Sequence, residues 1–595
     1  MTILKPKQQN KRKVPRIYGL DCETYGKKNH FYCCSIYGED GNYCKTFYSQ
    51  EETIKALMTD KRFRSSWLTM TNMEFDFFSI FAKYENGKNV YHDELANMKP
   101  ITRKGTYIGF VWQLPNKKKM TLIGTENYIK NSVEQLGNIL NIPKMKKPKC
   151  LGEIPSEKEH DYFIKYNIRD AEISYLITKF LLKTFHKLGA DCKVTIASTA
   201  MTLWRNKYQK KAFFQPDPED LKFLLKGYYG GRTEAFKRGK IKDYGYYDFN
   251  SLYPSRMLKD LPDPNSMRKT KRSSVELIQK HEGVSKVAVY CRKDMKIPIL
   301  PYRLEDGKLI FPVGTFCGYY PHNELRYALE NGYKILDIYE TYYFIHKCNP
   351  FKEYSIDMYN LRCKYKKEGN VGMATSVKLL MNSLYGKFGQ KFDEKIEMIH
   401  QDGVDDLNKY DRVERMECFL RCVTLDCKPA SFCIPIFSLY ITAMGRIHLH
   451  KALKDSDPVY CDTDSIITQK DLGDSKILGE LKLENTIKDG IIIKPKMYSL
   501  NDEFGKSHTK LKGVSQKCVF NLRDLAQDPE IVMEKWTKIR EALRSIQGLS
   551  VNEKRDVIKT ISLEDTKRNW NGELFSFDKL QDSKPIELNL IDIFH

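Results

Sequence analysis

Asp457-Pro458-Val459-Tyr460-Cys461-Asp462-Thr463-Asp464-Ser465-Ile466-Ile467 reads as a β-hairpin. Its first arm is Pro458–Cys461, its turn is Asp462, Thr463 and Asp464, and Ile466-Ile467 begins the second arm. An Asp-x-Asp pair on extended backbone places both carboxylates on one face, because strand side chains alternate with period two. A neighbouring strand carrying Asp248, inside the strand-like Tyr244–Tyr253, would supply a third carboxylate. Hard oxygen ligands around an open site suit Mg²⁺, which takes one or two carboxylates plus the phosphates of a substrate. Two such ions clamp the attacking and leaving oxygens of an in-line phosphoryl displacement. Alone, an Asp-x-Asp is usually a solvated acidic turn.

A second acidic set lies nearer the N-terminus. Ile17 to Thr24 is an apolar run ending in polar residues, with Asp21 and Glu23 on one strand face. Ser66–Thr71 is a second strand, followed by Asn72-Met73-Glu74-Phe75-Asp76. Asp161–Phe185 spaces its apolar residues at helical intervals and carries Tyr166 and Asp170 one turn apart. Strands and helices alternating over residues 1–190 describe an α/β domain. Farther on, Lys352–Lys387 is helical with a break at Gly369, and Ile434–Leu453 is another helix.

At 595 residues the chain is too long for one hydrophobic core. Its 99 Lys+Arg against 76 Asp+Glu give a net charge of +23, which favours a polyanionic partner such as nucleic acid. The composition, 41% hydrophobic and 29% charged, is that of a globular protein. No run of 18 apolar residues exists, so a membrane-spanning helix is excluded. Met1–Arg16 has six basic residues and no apolar segment, unlike a secretory signal, and Lys5–Arg16 reads as a mobile basic tail. Sixteen cysteines at this length suit reduced thiols in the cytoplasm, that of an infected host cell if the protein is viral.

Taken in order, these segments resemble family B DNA polymerases. Tyr460-Cys461-Asp462-Thr463-Asp464-Ser465 is similar to the family's Tyr-x-Asp-Thr-Asp-Ser, and Asp248 to Pro254 to its Asp-x-x-Ser-Leu-Tyr-Pro. Lys378 to Gly386 resembles Lys-x-x-x-Asn-Ser-x-Tyr-Gly; Thr442 to Arg446 and Lys496 to Tyr498 resemble two further palm motifs. Asp21-Cys22-Glu23, Asn72 to Asp76 and Tyr166 to Asp170 match the three exonuclease segments. Tyr228-Tyr229-Gly230-Gly231 resembles the Tyr-x-Gly-Gly linker of protein-primed phage polymerases of compact type.

The resemblance implies an α/β multi-subdomain fold, a ribonuclease H-like 3′→5′ exonuclease domain joined to a right-hand polymerase with two insertions. Its divisions are tail and exonuclease 1–190, palm 191–260 and 433–530, insertions 261–355 and 391–432, fingers 356–390 and thumb 531–595. In this subgroup the insertions contact a terminal protein and wrap DNA. Asp248 and Asp464 are implied as ligands of two Mg²⁺, for which Mn²⁺ can substitute, with Asp462 beside them. Lys378, Arg362 and Lys366 would face the dNTP phosphates. Tyr253 would exclude a 2′-hydroxyl, and Asn382, Tyr385 and Gly386 would line the nascent pair. Asp21, Glu23, Asp76 and Asp170 would hold two metals of the exonuclease, and Tyr166 its water. Thr24, Asn72 and Phe75 would grip the frayed 3′ end. Tyr228, Gly230, Gly231, Thr442, Arg446, Lys496, Tyr498 and Lys512 are the implied contacts to primer-template DNA.

Some residues fall outside this pattern. Cys418, Cys422, Cys427 and Cys433 lie close in sequence but lack the paired Cys-x-x-Cys of most zinc sites, so ordinary thiols are expected. Lys144–Lys149 reads as a solvated basic loop near the exonuclease, and Ser132 is a weak candidate for a further motif there. The expected function is a monomeric, replicative, DNA-dependent DNA polymerase with proofreading, primed by a terminal protein. Competing readings are a relative using a nucleic-acid primer or none, and a DNA-binding protein with a decayed site. A reverse transcriptase would not carry the exonuclease segments.

Overall fold

A computed structural model describes residues 2–10, 14–103, 105–115, 117–392, 394–514, 529–545 and 548–590. Its N-terminal part is built on a seven-stranded sheet. The strand order is Tyr43–Phe47, His30–Gly38, Arg16–Tyr25, Ser66–Met70, Lys119–Gly124, Thr106–Gln113 and Met98–Arg103. Arg16–Tyr25, Ser66–Met70 and Lys119–Gly124 run parallel, and the flanking strands are antiparallel. This is the mixed order expected of a ribonuclease H-like domain. The 32-residue helix Glu157–Leu188 packs on the sheet. A Ser156–Glu159 capping box starts it, and Gly189, at φ 111°, ends it in a conformation that suits glycine.

The second large sheet is antiparallel, in the order Thr233–Ala235, Tyr460–Asp462, Ser465–Thr468, Lys237–Phe249, Leu481–Lys494, Met497–Asp502 and Ser507–Leu511. Tyr460, Cys461, Ile466 and Ile467 are all buried, which is why the hairpin reads as continuous apolar runs instead of alternating ones. The helix Pro435–Lys454, with proline in its first turn, packs with the short helix Leu252–Arg256. Strand character therefore stops at Phe249. Ser251, at φ 53°, turns the chain, and Leu252 and Pro254 are buried.

Two helices, Lys352–Lys367 and Val371–Ser383, pack together around the break at Gly369. Of the two stretches expected to be insertions, the first, 261–355, supplies Met267–Thr270, Lys334–Phe344, Glu282–Cys291 and Val313–Pro321 to a five-stranded sheet that Glu587–Asn589 completes. The second is a three-stranded sheet over residues 394–425. It docks on the first domain: Met398, Met416 and Phe419 share that core, and Tyr107 donates to the Met398 carbonyl. The hairpin Glu530–Trp536/Lys554–Thr560 adjoins the same domain, where Asn552 donates to the Phe75 carbonyl.

Two expectations change. The basic N-terminus is not a free tail: Ile3-Leu4 pairs with Phe213-Phe214, the Lys7 amide donates to Arg205, and Gln9 donates to the His186 carbonyl. Residues 11–13 of that run lie outside the described residues. The end of the chain, assigned to the thumb with 531–595, returns to other sheets. Gln581–Asp582 pairs with Lys237–Arg238, and Glu587–Asn589 with Val313–Thr315. Among the described residues, no helix is long and apolar enough to cross a membrane.

Candidate active sites

The first carboxylate cluster forms where strand, turn and helix of the N-terminal domain meet. Asp21 and Glu23 come from Arg16–Tyr25, Asp76 from the helix Met73–Phe81, and Tyr166 and Asp170 from Glu157–Leu188. The Cys22 amide donates to Asp76 Oδ1 (3.1 Å), and Asn167 donates to Asp21 Oδ2 (2.7 Å). Burial first, then the charges of Asp76, Asp170 and Glu23, raises Asp21 well above the ordinary carboxylate range. Asp76 is raised in the same way, and Glu23 reaches about 8 through burial and Asp170. Such a set cannot ionise together without added cations.

Lys144 supplies one cation. Its Nζ donates to Asp170 Oδ2 at 2.5 Å and lies 4.8 Å from the Tyr166 ring centroid. The basic run containing it is therefore not simply a solvated loop. Asp170 Oδ1 is buried and has no hydrogen-bond partner among the described residues. Phe75 meets Trp536 edge-on at 5.1 Å, Asn72 is exposed, and Thr24 is buried and donates to Asn29. Ser132 caps its own helix through the Gln135 amide, so it serves local structure.

The second cluster lies on the antiparallel sheet. Asp248 stands between Ser465 and Lys482 on neighbouring strands. Thr463 has φ 67°, and the Asp464 amide reaches back to the Asp462 carbonyl (2.7 Å), closing a γ-turn. The period-two argument therefore fails at this turn, and the two aspartates have different partners. Asp462 takes Lys496 Nζ at 2.7 and 2.8 Å and Thr233 Oγ1 at 3.0 Å. Despite burial, those contacts hold it below its ordinary value. Asp248 rises to about 7 through burial and the charge of Asp464, which is itself raised by burial and Asp462.

Lys378 opposes both rises, so its charge is felt at Asp248 and Asp464. Arg362 Nη1 donates to Ser251 Oγ (2.9 Å), and Lys366 is lowered first by Arg362, then by burial and Lys378. The Tyr253 ring packs 4.8 Å from that of Tyr385, and its atoms lie 3.0 Å from where a Gly445 Cβ would stand. Asn382 and Gly386 are exposed.

Three expected DNA contacts are buried instead. Thr442 donates to the Leu439 carbonyl. Arg446 forms a two-pronged pair with Glu324 (2.8 Å each) and donates to the Tyr229 and Gly230 carbonyls (2.8 and 3.0 Å). Tyr498 packs edge-on against Tyr460 at 5.5 Å. Tyr228 is half-buried, whereas Gly230 and Lys512 are exposed. Gly231 abuts the Asp462–Asp464 turn: a Cβ there would stand 2.7 Å from Thr463 Cγ2. Sequence reasoning read Lys144 only as part of a solvated basic run, and missed Lys510, Lys482 and Asn167 beside these carboxylates, for which no residue pattern gave a signal. The four clustered cysteines form no common centre: Cys427 donates to Thr424 and Cys422 is buried in its strand. Among the described residues, no three His, Cys, Asp or Glu side chains close a ready metal cage. The donor chemistry of both carboxylate sets nevertheless fits divalent cations, since burial and neighbouring carboxylates raise Asp21, Glu23, Asp248 and Asp464, a cost that added positive charge relieves.

Residues 22–428 match the family described as DNA polymerase type B, organellar and viral. A probable DNA polymerase of Neurospora intermedia is 28% identical over 468 residues, 72% of this chain and 46% of that protein. One from Agaricus bitorquis is 24% identical over 513 residues, 76% of this chain and 62% of that protein. The chain thus spans about half the length of these curated relatives. Phi29 DNA polymerase, solved with primer-template DNA and incoming nucleotide, aligns with a TM-score of 0.69 at 18% identity, over 92% of this chain and 100% of that one. The likeness establishes that the chain has the fold of that polymerase over nearly its whole length. With more than half of its length matched, this chain belongs to the organellar and viral type B DNA polymerases.

Proposed function

We propose that the protein is a replicative DNA-dependent DNA polymerase with a separate 3′→5′ proofreading exonuclease, starting from a hydroxyl of a terminal protein. The observation that carries this reading is the placement of Asp464 beside the Asp248 strand, where its carbonyl accepts the Phe249 amide (2.8 Å). Burial and the Asp464 charge raise Asp248, burial and Asp462 raise Asp464, and Lys378 acts against both rises. Two divalent cations on these carboxylates, Mg²⁺ with Mn²⁺ as substitute, would supply charge at the attacking and leaving oxygens.

The remaining work falls to this chain's own side chains. A primer 3′-hydroxyl attacks the α-phosphorus of a dNTP; the new P–O bond forms, the bond to the bridging oxygen breaks, pyrophosphate leaves and the proton passes to solvent. Lys378, Arg362 and Lys366 offset the phosphate charge. Tyr253, braced by Tyr385 and Gly445, stands where a 2′-hydroxyl would collide. Asp462, ionised and anchored by Lys496, holds the turn. In the exonuclease, Asp21, Glu23, Asp76 and Asp170 would hold the cations and Tyr166 would orient a water whose oxygen bonds to the terminal phosphorus as the P–O3′ bond breaks, so that a nucleoside monophosphate leaves and the shortened strand regains its 3′-hydroxyl.

Protein priming is supported by the Tyr228–Gly231 linker and by two insertions that form sheets of their own. The solved relative bound to primer-template and nucleotide supports DNA and dNTPs as the ligands. A monomer working in the cytoplasm completes the reading. The test is a gel assay on a labelled primer-template with Mg²⁺, with and without dNTPs, beside Asp464→Ala and Asp76→Ala. Extension and 3′ degradation should each disappear in its own variant. Failure of the unmutated protein to extend in Mg²⁺ or Mn²⁺ would favour a decayed site. Transfer of labelled nucleotide to a protein, stable in denaturing gels, tests the priming mode.

A further inference from the structure

Three successive carbonyls of the first insertion are held by three different elements. Lys296 accepts from Arg568 Nη2 (3.1 Å), Ile297 from His450 Nε2 (2.8 Å) and Pro298 from Arg232 Nη1 (2.6 Å). Arg232 also places Nε 2.6 Å and Nη2 2.5 Å from Glu234 Oε2, while Arg568 stands 3.6 Å from Oε1 of the same carboxylate. All three side chains are at most 2% exposed. The guanidinium of Arg232 lies 4.1 Å from the Phe311 ring, and that of Arg568 lies 5.0 Å from Phe236. One carboxylate shared by two guanidiniums away from water tolerates little displacement, because either partner left alone is a buried, uncompensated charge.

The backbone of Arg232 touches the catalytic turn. Its carbonyl accepts the Thr463 amide at 2.6 Å, while Gly231 and Thr233 contact Thr463 and Asp462 on either side. Thr463 is a β-branched residue in left-handed geometry, a conformation that persists only when its surroundings enforce it. Resting on the polymerase reading above, we propose that Arg232 is a positioning residue of the polymerase site. Clamped by Glu234, Arg568 and the Pro298 carbonyl, it fixes the peptide that holds Thr463. The first insertion and the returning segment 565–583 thereby set where Asp464 stands.

Hydrogen exchange on the full chain tests this without reference to activity. In Arg568→Ala and in the isosteric Glu234→Gln, peptides spanning 459–466 should exchange at least about tenfold faster, with those spanning 157–188 unchanged. In primer extension the same variants should lose about tenfold or more in kcat at saturating dNTP, with KM within about twofold. Their degradation of single-stranded DNA should match the unmutated protein. Arg568→Lys, which keeps the charge without the planar fork, should fall between. Unchanged exchange at 459–466 overturns the proposal, as does a parallel loss of both activities in proportion to folded protein. If the unmutated protein fails to extend, the polymerase reading falls, and the exchange measurement still decides the role of Arg232.

Discussion

Lys496 holds both carboxylate oxygens of Asp462, at 2.7 and 2.8 Å, and Lys510 adds a second ammonium at 3.5 Å. Two residues on, Asp464 is instead raised by burial and by the charge of Asp462. One short motif thus contains an ionised anchor and a carboxylate that a cation would satisfy.

This asymmetry predicts unequal losses. Asp464→Asn should reduce single-turnover extension on the order of 10³-fold or more. Asp462→Asn should cost about 10- to 100-fold, as expected when a supporting partner and not a direct ligand is removed. Equal losses in rapid-quench measurements would show that both aspartates act as direct ligands.

The adjacent glycines of the linker should also differ. A methyl at Gly231 would meet Thr463 Cγ2 at 2.7 Å and the Tyr253 hydroxyl at 2.9 Å, whereas nothing lies within 4 Å at Gly230. Gly231→Ala should slow extension about 10²-fold, because small displacements of reacting groups are costly. Gly230→Ala should leave extension nearly unchanged. Exonuclease rates on single-stranded DNA should be normal in both, and a loss in Gly230→Ala equal to that in Gly231→Ala would refute the steric account.

Lys144 lowers Asp170 and Glu23 toward ionisation. Removing it leaves their carboxylates facing burial and each other, so they protonate at higher pH. In Lys144→Ala the acid limb of the exonuclease pH profile should therefore move upward by about one unit or more. An unmoved limb, whatever the rate, would mean that Lys144 does not govern these groups.

Stability should follow the same charges. Glu23 titrates near 8 and Asp248 near 7 in the folded chain, whereas unfolded carboxylates titrate at about 4. The folded state thus binds more protons between these limits, so their contribution favours folding below pH ~4 and is lost as pH rises through 7 to 8. With chelator present, the thermal midpoint should fall between pH 6 and 8.5. Added Mg²⁺ should raise the midpoint more at pH 8.5 than at pH 6, because protons then no longer compete for the carboxylates. Scanning calorimetry that finds the same Mg²⁺ effect at both values would contradict this assignment.

Much of the candidate site was legible because it is built from short segments. Asp21 and Glu23 share a strand, and Tyr166 and Asp170 share a helix, so local periodicity already aligns them. The break at Gly369 and the helix over Pro435–Lys454 were likewise local matters. The period-two rule misled only at Asp462–Asp464, where Thr463 leaves extended geometry. Thr442, Arg446 and Tyr498 misled for another reason: a polar side chain does not announce whether a partner such as Glu324 will bury it.

The residue order alone determined the two carboxylate sets, the helices and strands carrying them, and the family to which the chain belongs. Those features depend on spacing within a few residues and on the order of segments. Only the tertiary structure decided which aspartate is neutralised, that Lys144 reaches Asp170, and that residues 581–589 pair with the distant strands Lys237–Phe249 and Val313–Pro321. Each of these depends on groups far apart in the chain, where burial and charge act through space and spacing along the backbone carries no record of distance.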